Sequence, residues 1–250
     1  MQIQTHPDKA SLGRAAAAEG VAALRVALAD QGRATVILAT GASQFDMLEN
    51  LVAADLDWSR VTLFHLDEYV GLPETHPASF RKYLRERVLA RLATAPAAFH
   101  AIDGDAADTG AEIDRLNALI AAETVDVCFA GIGENGHLAF NDPPADFDTT
   151  QPFVRVQLDA ACRRQQMGEG WFPTLDDVPT EAISMSIREI LRARRLILSV
   201  PDARKAEAVR ATVEGPVSPE APASIVRSHP ACSLHLDPAS AALLTRGGAA

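Results

Sequence analysis

Apolar residues follow two spacings that alternate along the chain, and each spacing predicts an element. Between Ala10 and Asp30, residues Ala17, Val21, Leu24 and Leu28 recur at helical intervals, and the pattern stops near Gly32. Ala34 to Ala39 is a short apolar run bounded by Gly41, as suits a strand covered on both faces. Gln44 to Ala54 predicts a helix, Val61 to His65 a strand, and Ala78 to Ala93 a second amphipathic helix. A helix over Ala111 to Ala122 leads to a buried strand, Val125 to Ala130. Arg195 to Val200 predicts another strand, followed by a helix from Asp202 to Thr212. Cys232 to Leu236 reads as a strand and Pro238 to Leu244 as a last helix.

This alternation predicts an α/β fold: a three-layer, Rossmann-like, mostly parallel sheet with helices on both faces. No repeat, linker or break in composition divides the chain, and the stretch from Pro216 to Pro222 is too short to separate domains. Residues 1–250 are therefore expected to form a single domain. From Asp142 to Pro179 periodicity is weakest and turn formers are frequent (Pro143, Pro144, Gly168, Gly170, Pro173). That segment is expected to cover or line a site.

Charge narrows the partners. Lys and Arg number 23 against 33 Asp and Glu, a formal charge of −10, and there is no basic run. Such a chain is poorly suited to a polyanionic backbone, so no nucleic acid is expected, although one local positive site would suffice for a small phosphate ester. No apolar stretch reaches the roughly 18 residues of a membrane helix, and Met1 to His6 has no secretory character. The three cysteines are widely spaced without C-x-x-C, and Cys128 and Cys232 lie in apolar runs as core residues do. A reducing, cytoplasmic setting is expected. There is no H-E-x-x-H, no G-x-S-x-G and no Cys/His cluster with zinc spacing, and the acids at Asp103, Asp105, Asp108 and Asp114 lack the pattern of a calcium loop. No metal or cofactor is expected.

In open α/β sheets ligands sit beyond the carboxyl ends of the strands, so the residues there carry the candidate chemistry. Thr40, Gly41, Ala42 and Ser43 follow the first buried run and lead into a helix, which makes an anion site from backbone N–H groups and the helix dipole. A plain N-cap by Ser43 would explain the same residues. Asp67 and Glu68 follow the second strand; one of them could act as a general base, or cap a turn or pair with an arginine. Gly131-Ile-Gly-Glu-Asn-Gly136 matches G-x-G-x-x-G, but Pro143 and Pro144 leave no room for the helix a dinucleotide needs. The glycines Gly131 and Gly136 instead free a loop that exposes His137, with Asn135 and Asp142 as polar neighbours that would orient a proton shuttle. Lys205 opens a later helix and could add charge to a phosphate site, although a solvated surface lysine would explain it equally.

Taken together these loops resemble the glucosamine-6-phosphate deaminase family, within a wider group that includes 6-phosphogluconolactonases. The resemblance rests on Ala39-Thr-Gly-Ala-Ser43, Leu66-Asp-Glu-Tyr-Val-Gly-Leu72, Gly131 to Pro143, Lys205, Val213-Glu-Gly215 and Ser228-His-Pro230. It implies isomerising deamination of glucosamine 6-phosphate to fructose 6-phosphate and ammonia. His137 would open the sugar ring, Asp67 would move a proton from C2 to C1, and Thr40 to Ser43 with Lys205 would hold the phosphate. Two positions depart from the family: Asn135 stands where an aspartate is usual, and Asp142 where a glutamate is. His137 is therefore expected to take its charge partner from Asp142 or from Glu134. Arg163 and Arg164 are the nearest candidates for the family's phosphate-binding arginine, and residues tied to allosteric activation in some members are not recognisable after Asp146. A related sugar-phosphate reaction, such as deamination of the galacto epimer, another isomerisation or lactone hydrolysis, stays open, as do a non-catalytic sugar-phosphate-binding regulator and a homo-oligomer.

Overall fold

The computed structural model describes residues 1–245. The chain opens with β1 (Gln2–Thr5), helix α1 (Lys9–Gln31) and β2 (Ala34–Leu38), then α2 (Phe45–Val52) and β3 (Val61–His65). Next come β4 (Asp67–Tyr69), α3 (Phe80–Arg87), β5 (Ala98–His100), α4 (Thr109–Ala121) and β6 (Val127–Ala130). After a long loop follow β7 (Phe153–Gln157), α5 (Ala160–Gly168), β8 (Glu181–Met185), the single turn α6 (Ile187–Ile190) and β9 (Arg195–Val200). The described part ends with α7 (Ala206–Glu214) and β10 (Cys232–Leu236).

Seven strands form one parallel sheet in the order β1-β10-β9-β6-β2-β3-β5. From β2 the chain winds outward through β3 to β5, then returns to the centre at β6 and winds the other way. The reversal lies between β2 and β6, where parallel crossovers leave a crevice at the carboxyl edge. Alternate side chains of the central strands point to opposite faces. Val36, Leu38, Val127, Phe129 and Ile197 pack with Leu24 of α1 and Met47 and Leu51 of α2; Ile37, Phe64, Cys128 and Leu198 pack with Leu116 and Ile120 of α4 and Val209 of α7. Both faces of these strands are buried, which is why they read as unbroken apolar runs. The described residues build a single α/β domain of this three-layer kind.

A second, antiparallel sheet, β4-β8-β7, stands at the carboxyl edge of the first. Residue 66 is the junction: Leu66 N–H donates to Leu38 on β2, and its carbonyl accepts from Met185 on β8. Asp67 is thereby handed from the main sheet to the small one within a single residue.

Several expectations need correction. Residues 142–179, read as irregular, contain β7 and α5. Strand β7 is half exposed and α5 buries only Cys162 and Gln166, so neither has a strong apolar period. The edge strand β1, the short β4 and β5, and β8 were also not anticipated. No helix forms over Pro238–Leu244: turns occupy it, anchored by Asp237, whose carboxylate accepts from Ser240 N–H at 2.7 Å. The helix expected over Ala78–Ala93 stops at Arg87 and resumes only as a 3-10 turn, Leu89–Arg91.

Candidate active site

The loop after β2 turns at Gly41, enters a 3-10 turn at Ala42–Gln44 and continues into α2. No side chain caps either start. Ser43 is not an N-cap; its hydroxyl accepts from Gln44 Nε2 at 3.0 Å, and that amide also donates to Ser199 O on β9. The loop's carbonyls are held from outside, Gly41 O by Tyr83 and Ala42 O by Lys9. A helix start with uncapped N–H groups and outward-held carbonyls is a ready cradle for an anion.

Lys205 reaches the same cradle from β9. After Pro201 the backbone adopts φ 92° at Asp202, unusual for a non-glycine residue. The strain is held by Asp237, whose two carboxylate oxygens accept from Asp202 N–H at 3.3 and 3.1 Å. The 3-10 turn Ala203–Lys205 that follows buries Lys205. Burial lowers the pKa of its ammonium, and an incoming phosphate would restore the preference for charge.

The two adjacent acids have separate fates. Glu68 is fully buried and accepts from the N–H groups of Tyr69, Phe80 and Arg81 and from Ser79 Oγ, with Arg81 Nε at 3.4 Å. It holds the start of α3 and has no lone pair to spare. Asp67 is also buried, but no cation neutralises it among the described residues; burial, and then the neighbouring Glu68, push its carboxyl up to about 8. Of the pair, Asp67 is the one able to exchange a proton.

His137 closes a tight turn in which Gly133 N–H donates to His137 O and Gly136 N–H to Gly133 O. Gly136 has φ 87°, a conformation few other residues adopt. Gly133 is needed for space: a Cβ there would stand 2.4 Å from the imidazole. Behind the ring, Asn135 Oδ1 accepts from His137 N–H and Asn135 Nδ2 donates to Asp142 Oδ1. Nδ1 of His137 lies 3.0 Å from that same Oδ1, though out of line for a straight hydrogen bond. Burial opposes charge on Asp142, but His137, Asn135 and the N–H of Asp159 outweigh it and leave its pKa lowered. Asp142, and not Glu134, is therefore the partner of His137; Glu134 pairs with Arg204 at 3.4 Å.

One cavity of about 510 Å³ at the carboxyl edge gathers Thr40, Gly41, Ala42, Ser43, Asp67, Gly131, His137 and Lys205 on its wall. Asn135, Asp142 and Gly136 do not reach it; they stand behind His137 and shape its loop. Arg163 and Arg164 do not reach it either. The guanidinium of Arg163 is bound to the carbonyls of Leu175 and Val178, and Arg164 lines a separate surface hollow. The arginine on the cavity wall is Arg204, next to Lys205. Residues missed from the sequence include Lys9, Phe80 and Phe140, and Gln165, Gln166 and Glu169 of the α5 segment. For Gln165, Gln166 and Glu169 the only signal was that residues 142–179 were expected to line a site; Lys9 and Phe80 had none.

A sequence profile described as "Glucosamine-6-phosphate isomerases/6-phosphogluconolactonase" matches residues 7–234. The chain belongs to this family. A glucosamine-6-phosphate deaminase of Latilactobacillus sakei is 38% identical over 209 residues, 84% of this chain and 86% of that one. A solved structure of a monomeric glucosamine-6-phosphate deaminase superposes with a TM-score of 0.89 at 29% identity, covering 98% of this chain and 100% of the other. A putative 6-phosphogluconolactonase from Neisseria gonorrhoeae shares the fold at a TM-score of 0.74 and 23% identity, over 94% and 98% of the two chains. Among the described residues no helix is long and apolar enough to cross a membrane.

Proposed function

We propose that the protein is an enzyme of amino-sugar catabolism that converts glucosamine 6-phosphate and water to fructose 6-phosphate and ammonia, working in the cytoplasm without a cofactor. The carrying observation is that a buried, uncompensated carboxyl at Asp67, the imidazole of His137 and the cradle at Thr40–Ser43 with Lys205 line one cavity. Hydrolysis of a lactone needs no base for a carbon acid, whereas proton removal beside a carbonyl does.

In this reading the phosphate is a non-reacting handle that fixes the carbon chain. His137, oriented by Asn135 and Asp142, moves a proton between O1 and the ring oxygen and opens the pyranose. The carboxylate of Asp67 takes the C2 proton of the open-chain aldehyde and returns it to C1. Loss of the C2 proton gives an enolamine and its return to C1 leaves an imine at C2; water adds there and ammonia leaves.

Asp67 must be ionised to act as base. In the free enzyme this requires a pH near its raised value of about 8, so kcat/KM is expected to climb between pH 6 and pH 8. An amino-sugar ammonium close by would favour the carboxylate, so the same limb in kcat should lie at lower pH.

The deciding experiment follows ammonia and fructose 6-phosphate from glucosamine 6-phosphate, beside the galacto epimer and 6-phosphogluconolactone, with Asp67→Asn as control. Release of ammonia by the wild type, lost in Asp67→Asn, is the expected result. Turnover of the lactone alone, or substrate-dependent stabilisation with no turnover, would overturn the assignment.

A further inference from the structure

Cys162 lies in the first turn of α5, buried, and serves neither the sugar cavity nor any proton path described above. Its position is nevertheless fixed with respect to Asp142. The N-cap of α5, Asp159, accepts from Cys162 N–H at 2.6 Å and itself donates its N–H to Asp142 Oδ2 at 3.3 Å. As a result an imidazole nitrogen of His137, a carboxylate oxygen of Asp142 and the Cys162 sulfur all lie within 4.8 Å of one another.

The orientation of the imidazole separates this from chance proximity. Nδ1 of His137 is buried and without a hydrogen bond, although Asp142 Oδ1 is only 3.0 Å away, because the approach is out of line. Groups that bond each other point at each other; groups that share a metal point at a common place between them. Zinc bond lengths of about 2.0–2.3 Å separate tetrahedral ligands by roughly 3.5 Å, so closing the set around an ion takes shifts of about 1 Å. An imidazole, a carboxylate and a thiolate also neutralise a divalent cation, and the sulfur selects a soft one.

We propose that His137, Asp142 and Cys162 form an inhibitory binding site for a thiophilic divalent cation of the zinc type, reached past Asp142 from outside the sugar cavity. On that side Asp142 lines a separate hollow with Asp114, Asp146 and Asp159, acids that outnumber its single arginine, Arg155. Binding exchanges the thiol proton for the metal, and buffer takes up that proton. With Nδ1 ligated, the remaining ring proton must sit on the nitrogen facing the sugar. The ring can then donate but cannot accept, and its shuttle stops. Because the sugar cavity is left open, kcat falls while KM is kept.

Zn²⁺ and Co²⁺ salts, added to the purified protein in a non-chelating buffer, test the site. The wild type is expected to bind Zn²⁺ stoichiometrically, to lose kcat without change in KM, and to recover with EDTA. Co²⁺ is expected to give a thiolate-to-cobalt charge-transfer band. Cys162→Ala should keep its basal rate within about threefold, require about tenfold or more Zn²⁺ for the same inhibition, and lose the band. Cys162→Ser, closer in size, should lose the band as well, which separates loss of sulfur from misfolding. Equal Zn²⁺ sensitivity in Cys162→Ala, purely competitive inhibition, or a wild type without the band would each overturn the proposal. The cobalt band needs no sugar turnover, so failure of the deaminase assignment would leave this test standing.

Discussion

Asp67 is held where a carboxylate is least comfortable: buried and next to a second acid, with no cation among the described residues to neutralise it. Its pKa in the folded chain, about 8, stands above its ordinary value, so between pH 4 and pH 8 the native state binds a proton that the unfolded chain releases. Stability contributed by that proton is present at low pH and lost as pH rises through the folded value. Replacing the acid by its neutral amide removes this penalty. Asp67→Asn is expected to be inactive yet more stable, with Tm higher by roughly 5 °C at pH 8 and by much less at pH 5. Thermal melts of both proteins at the two pH values check it; an equal or lower Tm for Asp67→Asn at pH 8 would mean that burial costs Asp67 nothing. Behind the cavity, Asp142 is the carboxylate that, among the described residues, pairs with the His137 ring. Asp142→Ala should lower kcat by about tenfold to a hundredfold and shift the pH profile, whereas Glu134→Ala, which frees only a partly exposed pair with Arg204, should leave the profile in place.

At the scale of elements, the site is a set of loops whose small residues are demanded by neighbours. The Gly133–His137 turn shows how tight that demand is. Because a Cβ at residue 133 would stand 2.4 Å from the imidazole, Gly133→Ala must push His137 aside, and kcat is expected to drop at least about tenfold. Gly131→Ala is the comparison: its nearest contact is the Gln44 amide at 3.1 Å, which needs to give by only a few tenths of an ångström, so the loss should be several times smaller. Steady-state kinetics of the two variants side by side would expose the error if they proved equal. These loops were legible in the sequence because each follows a strand buried on both faces, which announces itself as an apolar run, and because catalytic loops cluster at strand ends. Segment α5 was not legible. It carries Gln165 and Gln166 to the cavity while burying only Cys162 and Gln166, so no apolar stripe marks it as a helix. Composition and spacing do not separate Asp67 from Glu68; the family resemblance pointed to Asp67, and the physical reason comes from α3, whose N–H groups claim Glu68 and leave Asp67. Arg163 misled for the opposite reason: it stands in the right segment, but its charge is turned inward onto backbone carbonyls.

For the whole molecule the problem is to attract a phosphate ester to a chain of net charge −10. Long-range steering cannot do it, since the overall field repels an anion and is screened within about 8 Å at physiological salt. Recognition has to be local, and the topology supplies the place: where the strand order reverses between β2 and β6, a helix start from one half and Lys205 from the other face the same space. A buried ammonium whose pKa is already lowered gains most when a dianion arrives, and that gain exists only for a phosphorylated sugar. Lys205→Ala should therefore raise KM for glucosamine 6-phosphate by about tenfold to a hundredfold, the range of a charge-assisted hydrogen bond worth ~1.5–3 kcal/mol. It should leave the slow turnover of unphosphorylated glucosamine nearly unchanged. Measuring kcat/KM for both sugars in both proteins isolates the coupling between Lys205 and the phosphate from any general damage to the fold. A parallel loss on the two sugars would place Lys205 in the structural frame of the cavity instead of on the ligand.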